Sequence, residues 1–554
     1  MNNLEFMGGT MRRLFHTGFL TVSFSVALLL FGCTEQKHST TSSAPTTKSQ
    51  NVLNRGNQSE PSTLDPAKAE DVPSVRITQD LFEGLTQYAP DNTIIPGVAE
   101  KWDISADGKT YTFHLRPDAK WSNGKPLTAQ DFEYSLKRAI APATASPDSY
   151  LLYAIQNATE VNTGKLPLDQ FGVKALDPHT LQITLKQPTP PFLQILAYPT
   201  AYPVYEPSVK QYGNLFTQPG HLVSNGAYKL KEWVVNDHIT LVRNDQYWDN
   251  AHTSIDTVNF YPTTDTSREL EMFESGELDY TNSVPSDLFQ SLKKKYPTEL
   301  HVSPLAGNLY YSINVKKPPF DNVKLRQALS MALDRDAIAN SVIPTGVIPQ
   351  YNLVPKGING INTEDNLDWT QWPRDKQIAE AKKLYKEAGY SEENPLKLTI
   401  LYNTDDQRQK VVTATQAIWH DVLGVDVELR NEEWKSYVSD FDRGNYAVAI
   451  SRWIGDYNDP TTFLFLFTCG SPQNNGNYCN PQYDKLVNEG VQTLDPQKRE
   501  ALYNQAIKMA LADYPRIPVY QYVNTHLVKD YVENYQQTQL LDMVYSKNWK
   551  IKQR

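Results

Sequence analysis

The sequence predicts an α/β fold, because strand-like and helix-like stretches alternate along most of the chain. Apolar and polar residues alternate over 111–115 and 181–185, which is the period of a half-buried strand. Apolar residues recur at helical spacing over 325–333 and 378–388, and Gly389 follows the second run where a helix would end.

The clearest unit is a predicted strand–helix–strand segment. Residues 396–402 form its first strand and 425–429 its second, with Gly424 at the position that ends the helix between them. One face of that helix is predicted to consist of four apolar residues, Val411, Ala414, Ile418 and Val422. A further helix at 433–441 and a strand at 446–453 follow. This crossover favours a parallel sheet that is covered by helices on both faces.

Length and charge limit the organisation of the chain and its partners. With 554 residues the chain has room for about three domains. Asp and Glu number 63 against 53 Lys and Arg, which gives a net charge of −10. Because an acidic chain lacks the positive field that binds phosphate backbones, nucleic acid is a poor candidate partner.

Residues 1–32 are predicted to be an export signal that ends at a lipidation site. Two arginines precede an apolar stretch at 18–31, which is too short and too interrupted by Ser and Thr for a membrane span of about 20 residues. The glycine before Cys33 resembles the bacterial lipobox, in which the cysteine is acylated. An ordinary signal peptide with an incidental cysteine is the alternative. Residues 33–50 are polar and rich in Ser and Thr, and they predict a flexible tether.

The two remaining cysteines, Cys469 and Cys479, enclose a short loop rich in Gly, Pro and Asn. In an oxidising compartment this arrangement predicts a disulfide, and two unpaired thiols are the alternative. A metal site is disfavoured, because the sequence contains no Cys-x-x-Cys and no histidine near either cysteine.

No catalytic motif is recognisable in the sequence. It contains no His-Glu-x-x-His, no Gly-x-Ser-x-Gly, no phosphate-binding loop and no Gly-x-Gly-x-x-Gly. A chain of this length without such a constellation favours binding over catalysis.

Four stretches together resemble a known family. They are LDP at 64–66 with DLFEGL at 80–85, PGVAEKW at 96–102 continuing to Phe132, SNGAY at 224–228 with RN at 243–244 and YW at 247–248, and RWIGDYNDPTTF at 452–463. With this spacing, the chain resembles the oligopeptide-binding proteins of bacterial ABC importers, a family that also includes dipeptide, murein-peptide and nickel receptors.

The resemblance implies a two-lobed periplasmic-binding-protein clamshell with two hinge crossings and an additional inserted domain. Mapped onto this chain, the first ligand-binding lobe is predicted to combine 51–82, 206–306 and 524–554. The extra domain is predicted at 83–205 and the second ligand-binding lobe at 307–523.

In this family a peptide lies extended between the lobes and pairs with protein backbone on both sides, so that main-chain hydrogen bonds supply affinity. The resemblance assigns the two backbone edges to two segments, Glu70-Asp71-Val72 and Arg452-Trp453-Ile454.

The resemblance also implies which side chains contact the ligand. Asp456 corresponds to the carboxylate that binds the α-ammonium group, a contact that is strong in an enclosed cleft. Arg408, with Arg452 as a second candidate, corresponds to the partner of the C-terminal carboxylate, and Tyr522 supplies a hydroxyl. The cleft aromatics are predicted to be Trp434, Trp453 and Tyr310.

Two departures from the family pattern bear on this site. Cysteines that form a bridge near the cleft in relatives correspond to Gly307 and Ile454. Basic residues that receive the carboxylate of peptides of other lengths correspond to Ile343 and Ile450. Arg408 then remains as the matched basic residue, which favours peptides somewhat longer than tripeptides.

Local interpretations of the same residues stay open. Trp453 ends an alternating stretch and is also compatible with a core position. Residues 456–460 are compatible with a turn alone, because Asp, Asn and Pro favour turns.

We expect a non-enzymatic, lipid-anchored solute-binding protein that captures short oligopeptides and delivers them to an ABC permease. It is expected in the periplasm as a monomer held to a membrane by its anchor, with no cofactor or metal. One alternative is a receptor dedicated to a single ligand such as murein tripeptide, glutathione, haem or a metal chelate. Alternatives of another class are a structural or chaperone-like envelope protein and an unrecognised hydrolase.

The substitution Cys33→Ser is expected to release the protein from membranes, because acylation followed by a polar tether is the predicted means of attachment. The measurement is partitioning between membrane and soluble fractions after a high-salt wash. A serine variant that stays with the membranes would contradict the lipid anchor.

Overall fold

The computed structural model describes residues 51–364, 367–535 and 540–552. The predicted signal peptide, the tether and the lipidation site Cys33 lie outside the described residues. No helix within these three ranges is both long and apolar enough to cross a membrane.

The described strands, in chain order, are β1 Val52–Gly56, β2 Thr86–Tyr88, β3 Ile94–Pro96, β4 Ala99–Ile104, β5 Thr110–Leu115, β6 Val173–Asp177, β7 Thr180–Thr184, β8 Tyr228–Val234, β9 His238–Arg243, β10 Thr257–Tyr261, β11 Leu300–Ile313, β12 Ile348–Pro349, β13 Lys397–Asn403, β14 Asp426–Glu432, β15 Val448–Ile454, β16 Arg516–Leu527, β17 Val532–Glu533 and β18 Lys550–Ile551.

The described α-helices are α1 Val72–Leu81, α2 Ala129–Ile140, α3 Ala158–Asn162, α4 Phe192–Ile195, α5 Glu206–Tyr212, α6 Thr266–Ser275, α7 Phe289–Lys295, α8 Val323–Ala332, α9 Arg335–Ala337, α10 Arg374–Glu387, α11 Asp406–Leu423, α12 Trp434–Asp442, α13 Thr461–Leu464, α14 Pro481–Gln492 and α15 Pro496–Asp513.

Two four-stranded sheets lie in the N-terminal half of the described chain. The first has the order β1-β10-β9-β8, in which only β1 and β10 run parallel. The second has the order β4-β5-β7-β6 and is antiparallel throughout. Each sheet has its own apolar core, so that the second sheet with α2 forms a separately packed body.

The third large sheet has six strands in the order β12-β16-β11-β15-β13-β14. β13, α11 and β14 form the predicted strand–helix–strand unit, and β13 and β14 are parallel neighbours. The expectation of a parallel sheet is wrong for the sheet as a whole, because β15, β11, β16 and β12 pair antiparallel. Because β11 and β16 come from distant parts of the chain, the local strand–helix–strand pattern does not indicate whether they pair parallel or antiparallel.

β11 and β16 are the two longest strands and form a long antiparallel pair whose register is interrupted in the middle. Pairing runs from Leu300 with Leu527 to Pro304 with Val523, and resumes at Asn308 with Gln521. At the interruption the buried amide of Gln521 donates to the Leu305 carbonyl at 3.0 Å, so a side chain replaces a ladder bond. The predicted lobe boundaries, 306/307 and 523/524, fall in this stretch.

The buried face of α11 differs from the predicted one. Ala414, Ile418 and Val422 are only half-buried. The buried side chains are Arg408, Val411, Val412, Thr415, Trp419 and Leu423. The reason is hydrogen bonding across the core, since the Tyr311 hydroxyl donates to Thr415 Oγ1 at 2.7 Å and Trp419 donates to the Leu329 carbonyl at 2.9 Å.

Candidate functional site

The end of β15 has one paired edge and one unpaired edge. β11 pairs with β15 as far as Ile454. On the other side β13 pairs only with Val448 and Ala449, and within the described residues no strand continues along this edge. The Ile450 carbonyl accepts from the Tyr437 hydroxyl at 2.7 Å. The segment Arg452-Trp453-Ile454 therefore presents a strand edge on which another extended chain can pair.

Asp456 lies just beyond this edge and is held by two hydroxyl groups. Tyr150 donates to Asp456 Oδ1 and Thr462 donates to Oδ2, each at 3.2 Å. The Asp456 backbone N–H also donates to Thr462 Oγ1 at 3.2 Å. Tyr150 lies 306 positions away in the chain and belongs to the region predicted as the extra domain. The carboxylate therefore has two neutral donors and no basic partner among the described residues.

The surroundings of Asp456 are acidic and poorly solvated. Burial raises the pKa of Asp456 to about 6, against the opposing effect of the Thr462 and Tyr150 hydrogen bonds. Burial, with the negative charges of Asp456 and Glu70, raises the pKa of Asp148 to about 7. One carboxylate oxygen of Asp148 is buried without a hydrogen-bond partner in the described structure. A cation bound between Asp456 and Asp148 would reduce the electrostatic repulsion between the two carboxylates.

A cavity of about 380 Å³ opens beside this carboxylate. We call it the Asp456 cavity. One wall consists of residues from the 150–195 region, among them Tyr150, and the opposite wall includes Trp453 and Phe465. Two of the lining rings, Tyr150 and Phe465, expose 45% and 38% of their surface.

A second, smaller cavity of about 210 Å³ lies on the other face of β15. We call it the Arg408 cavity. Its lining residues are Asn403, Asp405, Gln407, Arg408, Trp434, Arg452, Tyr520 and Tyr522. Four of the predicted ligand contacts, Arg408, Arg452, Trp434 and Tyr522, thus line a single cavity. Because adjacent strand residues point to opposite faces, Arg452 reaches this cavity while Trp453 reaches the Asp456 cavity.

Arg408 is buried and forms no ion pair among the described residues, and the nearby Asp405 carboxylate, which also lines the cavity, accepts from the Arg408 backbone N–H at 2.8 Å. The Arg408 guanidinium donates to Asn403 Oδ1 and lies 5.9 Å from the centre of the Tyr437 ring. Burial raises the pKa of the Tyr522 hydroxyl, and the positive charges of Arg408 and Arg452 act in the opposite direction. Ile343 and Ile450 are buried apolar residues, so they add no charge here. The cavity is suited to an anionic group.

Tyr310 is not brought to either cavity. Its side chain is 2% exposed, its hydroxyl donates to the Arg452 carbonyl at 3.4 Å, and Arg516 covers its ring at 4.0 Å. The expectation of a cleft aromatic is wrong at this position. Tyr310 supports the strand edge from behind.

The segment Glu70-Asp71-Val72 is not a strand. Asp71 caps α1 by accepting from the Ser74 backbone N–H at 2.9 Å, and its carbonyl accepts from Val75. Val72 is the first helical residue and is 50% exposed. The expected strand edge is therefore replaced by a helix N-terminus, because the Asp71 carboxylate satisfies the first turn. The segment still lies close to the acidic group, since the charge of Glu70 acts on Asp148.

The two positions that carry cysteines in relatives are direct neighbours here. Gly307 pairs with Ile454 across the β11–β15 ladder. A Cβ on Gly307 would lie 2.2 Å from Ile454 Cδ1, so the isoleucine occupies the space that a side chain at 307 would need. A separate disulfide joins Cys469 to Cys479.

The turn interpretation of the 456–460 segment applies to Asp459 and not to Asp456. Asp459 is the turn-forming residue, because its carboxylate accepts from the Thr461 backbone N–H and hydroxyl at 3.0 and 2.7 Å. Asp456 is not engaged in that turn and lines the cavity.

Sequence reasoning missed the residues that complete the acidic end. Asp148, Tyr150 and Tyr198 come from the region predicted as the extra domain, to which no role in the site was assigned. Thr462 lies inside the RWIGDYNDPTTF stretch, so its place in that motif was the available signal. For Asp148 and Tyr150 no local pattern distinguishes them from surface residues. Among the described residues no cluster is arranged to hold a metal ion.

Comparisons with known proteins identify the family of this chain. Residues 93–475 match the model of the family "Bacterial extracellular solute-binding proteins, family 5 Middle". The chain is 44% identical over 500 residues to the periplasmic oligopeptide-binding protein OppA of Escherichia coli K12, covering 90% of this chain and 92% of that protein.

Solved structures are similar over nearly the whole length. The unliganded open form of the periplasmic murein tripeptide-binding protein MppA superposes with a TM-score of 0.82 at 39% identity, covering 91% of this chain and 98% of that one. Haemophilus influenzae OppA in complex with RPPGFSPFR superposes with a TM-score of 0.75 at 36% identity, covering 91% of this chain and 99% of that one. The predicted two-lobed α/β fold is confirmed. The chain belongs to family 5 of the bacterial extracellular solute-binding proteins, the ABC-importer family that its sequence resembles.

Proposed function

We propose that this protein is a lipid-anchored receptor of the cell envelope that captures short oligopeptides in an extended conformation and delivers them to an ABC permease. Family membership supports the importer role, and two of its relatives are named for oligopeptide and murein-peptide binding. The anchor at Cys33, the periplasmic location and the monomeric state are parts of the same proposal and rest on the sequence.

The observation on which the proposal depends is that one strand end joins two cavities of opposite character. The Asp456 carboxylate lines the first cavity, in which Lys186 is the other charged residue, and two arginines, Arg408 and Arg452, line the second together with Asp405. The unpaired edge of Arg452-Trp453-Ile454 runs between them. A peptide has an ammonium group at one end, a carboxylate at the other and an extended backbone between, so it complements all three features.

Backbone pairing along this edge explains how a receptor can accept many sequences. Each main-chain hydrogen bond contributes a net stabilisation of about 0.5–1.5 kcal/mol whatever side chain the ligand carries. Exposed rings flank the edge, and Trp434 exposes 52% of its surface. Such rings offer contact area without demanding one side-chain shape.

The lobe boundaries proposed from the resemblance are compatible with a hinge at the interrupted β11–β16 pair. Two neighbouring strands with a local register shift have fewer ladder bonds to break when they bend. We propose that the first lobe, 51–82 with 206–306 and 524–554, rotates there against the second lobe, 307–523. Closure would bring Glu70 and Val72 against the ligand from the other side.

Replacing Asp456 with Asn is expected to weaken binding of free-amine peptides by about one and a half to four decades in Kd. The variant retains one acceptor but leaves the α-ammonium group without its counter-ion, which costs roughly 2–5 kcal/mol. N-acetylated peptides are expected to bind poorly to the native protein, and the variant should no longer distinguish the two forms. Isothermal calorimetry measures both.

The matched control is Asp421→Asn, which removes an exposed carboxylate from α11 of the same lobe. It should change neither affinity nor melting temperature. Equal binding of acetylated and free peptides to the native protein would show that the cleft does not recognise the N-terminus.

Peptide affinity is expected to fall by about tenfold between pH 7 and pH 5. Asp456 binds an ammonium only when ionised, and its pKa of about 6 places protonation in this window. Asp148, whose pKa is raised to about 7 by burial and by the charges of Asp456 and Glu70, also loses charge as the pH falls and acts in the same direction, whereas Tyr150 and Thr462 stay neutral. Calorimetric titrations across this range measure the effect, and affinity that rises on acidification would contradict it.

Arg408→Ala is expected to weaken the binding of peptides whose C-terminus reaches the Arg408 cavity. Binding of C-terminally amidated versions of the same peptides should change little. The reason is that Ile343 and Ile450 leave no other matched basic residue, while Arg452 supplies the remaining charge of that cavity. Arg443→Ala removes an exposed charge from the same lobe and serves as the control. If calorimetry showed equal losses of affinity for the free-acid and the amidated peptides, Arg408 would not be the partner of the C-terminal carboxylate.

A further inference from the structure

A short segment near the C-terminus packs against both proposed lobes. It comprises residues 540–545, and we call it the C-terminal strap. Leu540 is 6% exposed and lies in an apolar cluster whose other buried members all come from 306–511. Met543 lies instead in a cluster with Val75 of α1. The strap therefore leads from the core of the proposed second lobe to a helix of the first lobe within a few residues.

Leu540 is fixed beside the proposed hinge through both its backbone and its side chain. Its N–H donates to Asn92 Oδ1 at 2.9 Å, and its carbonyl accepts from the Ala306 N–H at 2.7 Å. The Ala306 carbonyl in turn accepts at 2.7 Å from the N–H of Gly455, which follows the open edge of β15. The Leu540 methyl groups lie so close to Gly357 that a Cβ there would be 3.1 Å from them. Hydrogen bonds thus connect the strap with the edge on which a ligand is proposed to pair.

The other end of the strap is fixed to α1 by a buried ion pair. Asp542 pairs with Arg76, and the two side chains are 11% and 5% exposed. His526 Nε2 lies 3.5 Å from the second carboxylate oxygen of Asp542. Breaking this pair would leave two charges in a poorly solvated site, which is costly. Because α1 begins at Val72, the strap holds the helix whose first turn is proposed to meet the ligand.

The two attachments are separated by a single residue, Leu541. A fully extended chain spans about 3.3–3.6 Å per residue, so the backbones of Leu540 and Asp542 cannot move more than about 7 Å apart. A rotation of the lobes that would carry α1 further than this from Ala306 has to break one of the two attachments. The strap therefore has almost no slack.

We propose that the C-terminal strap limits how far the two lobes can open in the ligand-free protein. This inference rests on the hinge of the proposed function. By excluding widely open arrangements, the strap keeps α1 near the open edge of β15, so a larger fraction of the ligand-free protein is ready to bind. The strap acts on affinity through the ligand-free state, because it offers the ligand no contact of its own.

The test lengthens the strap by inserting two glycines between Leu541 and Asp542, which keeps both attachments and adds up to about 7 Å of slack. Spin labels on Lys231→Cys and Lys382→Cys, exposed positions of the first and second proposed lobes, report the distance between the lobes by double electron–electron resonance. In the ligand-free variant the distance distribution should broaden and its mean should shift by about 3–7 Å. The radius of gyration from X-ray scattering should rise.

The matched control is the same insertion between Gly164 and Lys165, two exposed residues of the proposed extra domain, and it should leave the distances unchanged. Leu540→Ala removes the side-chain attachment without lengthening the strap, and it should shift the distances in the same direction as the insertion. If the insertion variant fails to fold, the Leu540→Ala distances decide. Native distances in the folded variants would overturn the inference.

Adding a saturating pentaalanine peptide should return both strap variants to the native ligand-bound distances. Its Kd, measured by calorimetry, should be about three- to tenfold weaker than for the native protein, because a smaller fraction of the ligand-free variant is ready to bind. Failure of this peptide to bind even the native protein would count against the proposed function. The distances measured without ligand would still decide the role of the strap.

Discussion

The antiparallel pairing of β11 with β16 is the constraint on which the remaining architecture depends. These strands come from positions about 200 residues apart, and their register places β15 beside β11 at the centre of the six-stranded sheet. Because β13 pairs with β15 only at its start, the last residues of β15 keep an open edge. The register shift opposite Gln521 interrupts the same pair where the chain passes between the predicted lobes. This pair of strands thus positions the open edge of β15 and contains the proposed hinge.

Neither of the charged residues near the open edge of β15, Asp456 and Arg408, has its side chain in an ion pair within the described residues. Asp456 has two hydroxyl donors and no basic neighbour, and Arg408 is bonded to an amide oxygen rather than to a carboxylate. Burying such groups is costly for the free protein, since neither desolvation is repaid by an ion pair. Under the proposed function, a ligand that supplies both missing partners would recover that free energy, which favours molecules with separated opposite charges.

How far the site could be predicted depended on whether its parts are close in sequence. The stretch from Arg452 to Phe463 contains the open strand edge, Asp456 and Thr462, so a single motif holds neighbouring parts of the candidate site. Tyr310 was expected in the cleft and is buried, because its position in β11 points it beneath β15 towards Arg516. Glu70 to Val72 was expected as a strand edge and starts a helix, since the Asp71 carboxylate caps the first turn. Family resemblance located these segments without determining their local conformation.

The sequence by itself predicted the α/β class, the strand–helix–strand unit around α11 and a disulfide between Cys469 and Cys479, which follow from periodicity and spacing, properties of neighbouring residues. The resemblance to the family, and no local pattern, singled out Asp456 and Arg408 as candidate ligand contacts. Only the tertiary structure decided that Tyr150 meets Asp456, that Arg408, Arg452, Trp434 and Tyr522 share one cavity, and which face of α11 is buried. The physical reason is that such contacts join residues as many as 306 positions apart, and their free energy depends on burial and hydrogen-bond geometry that exist only once the sheets have packed.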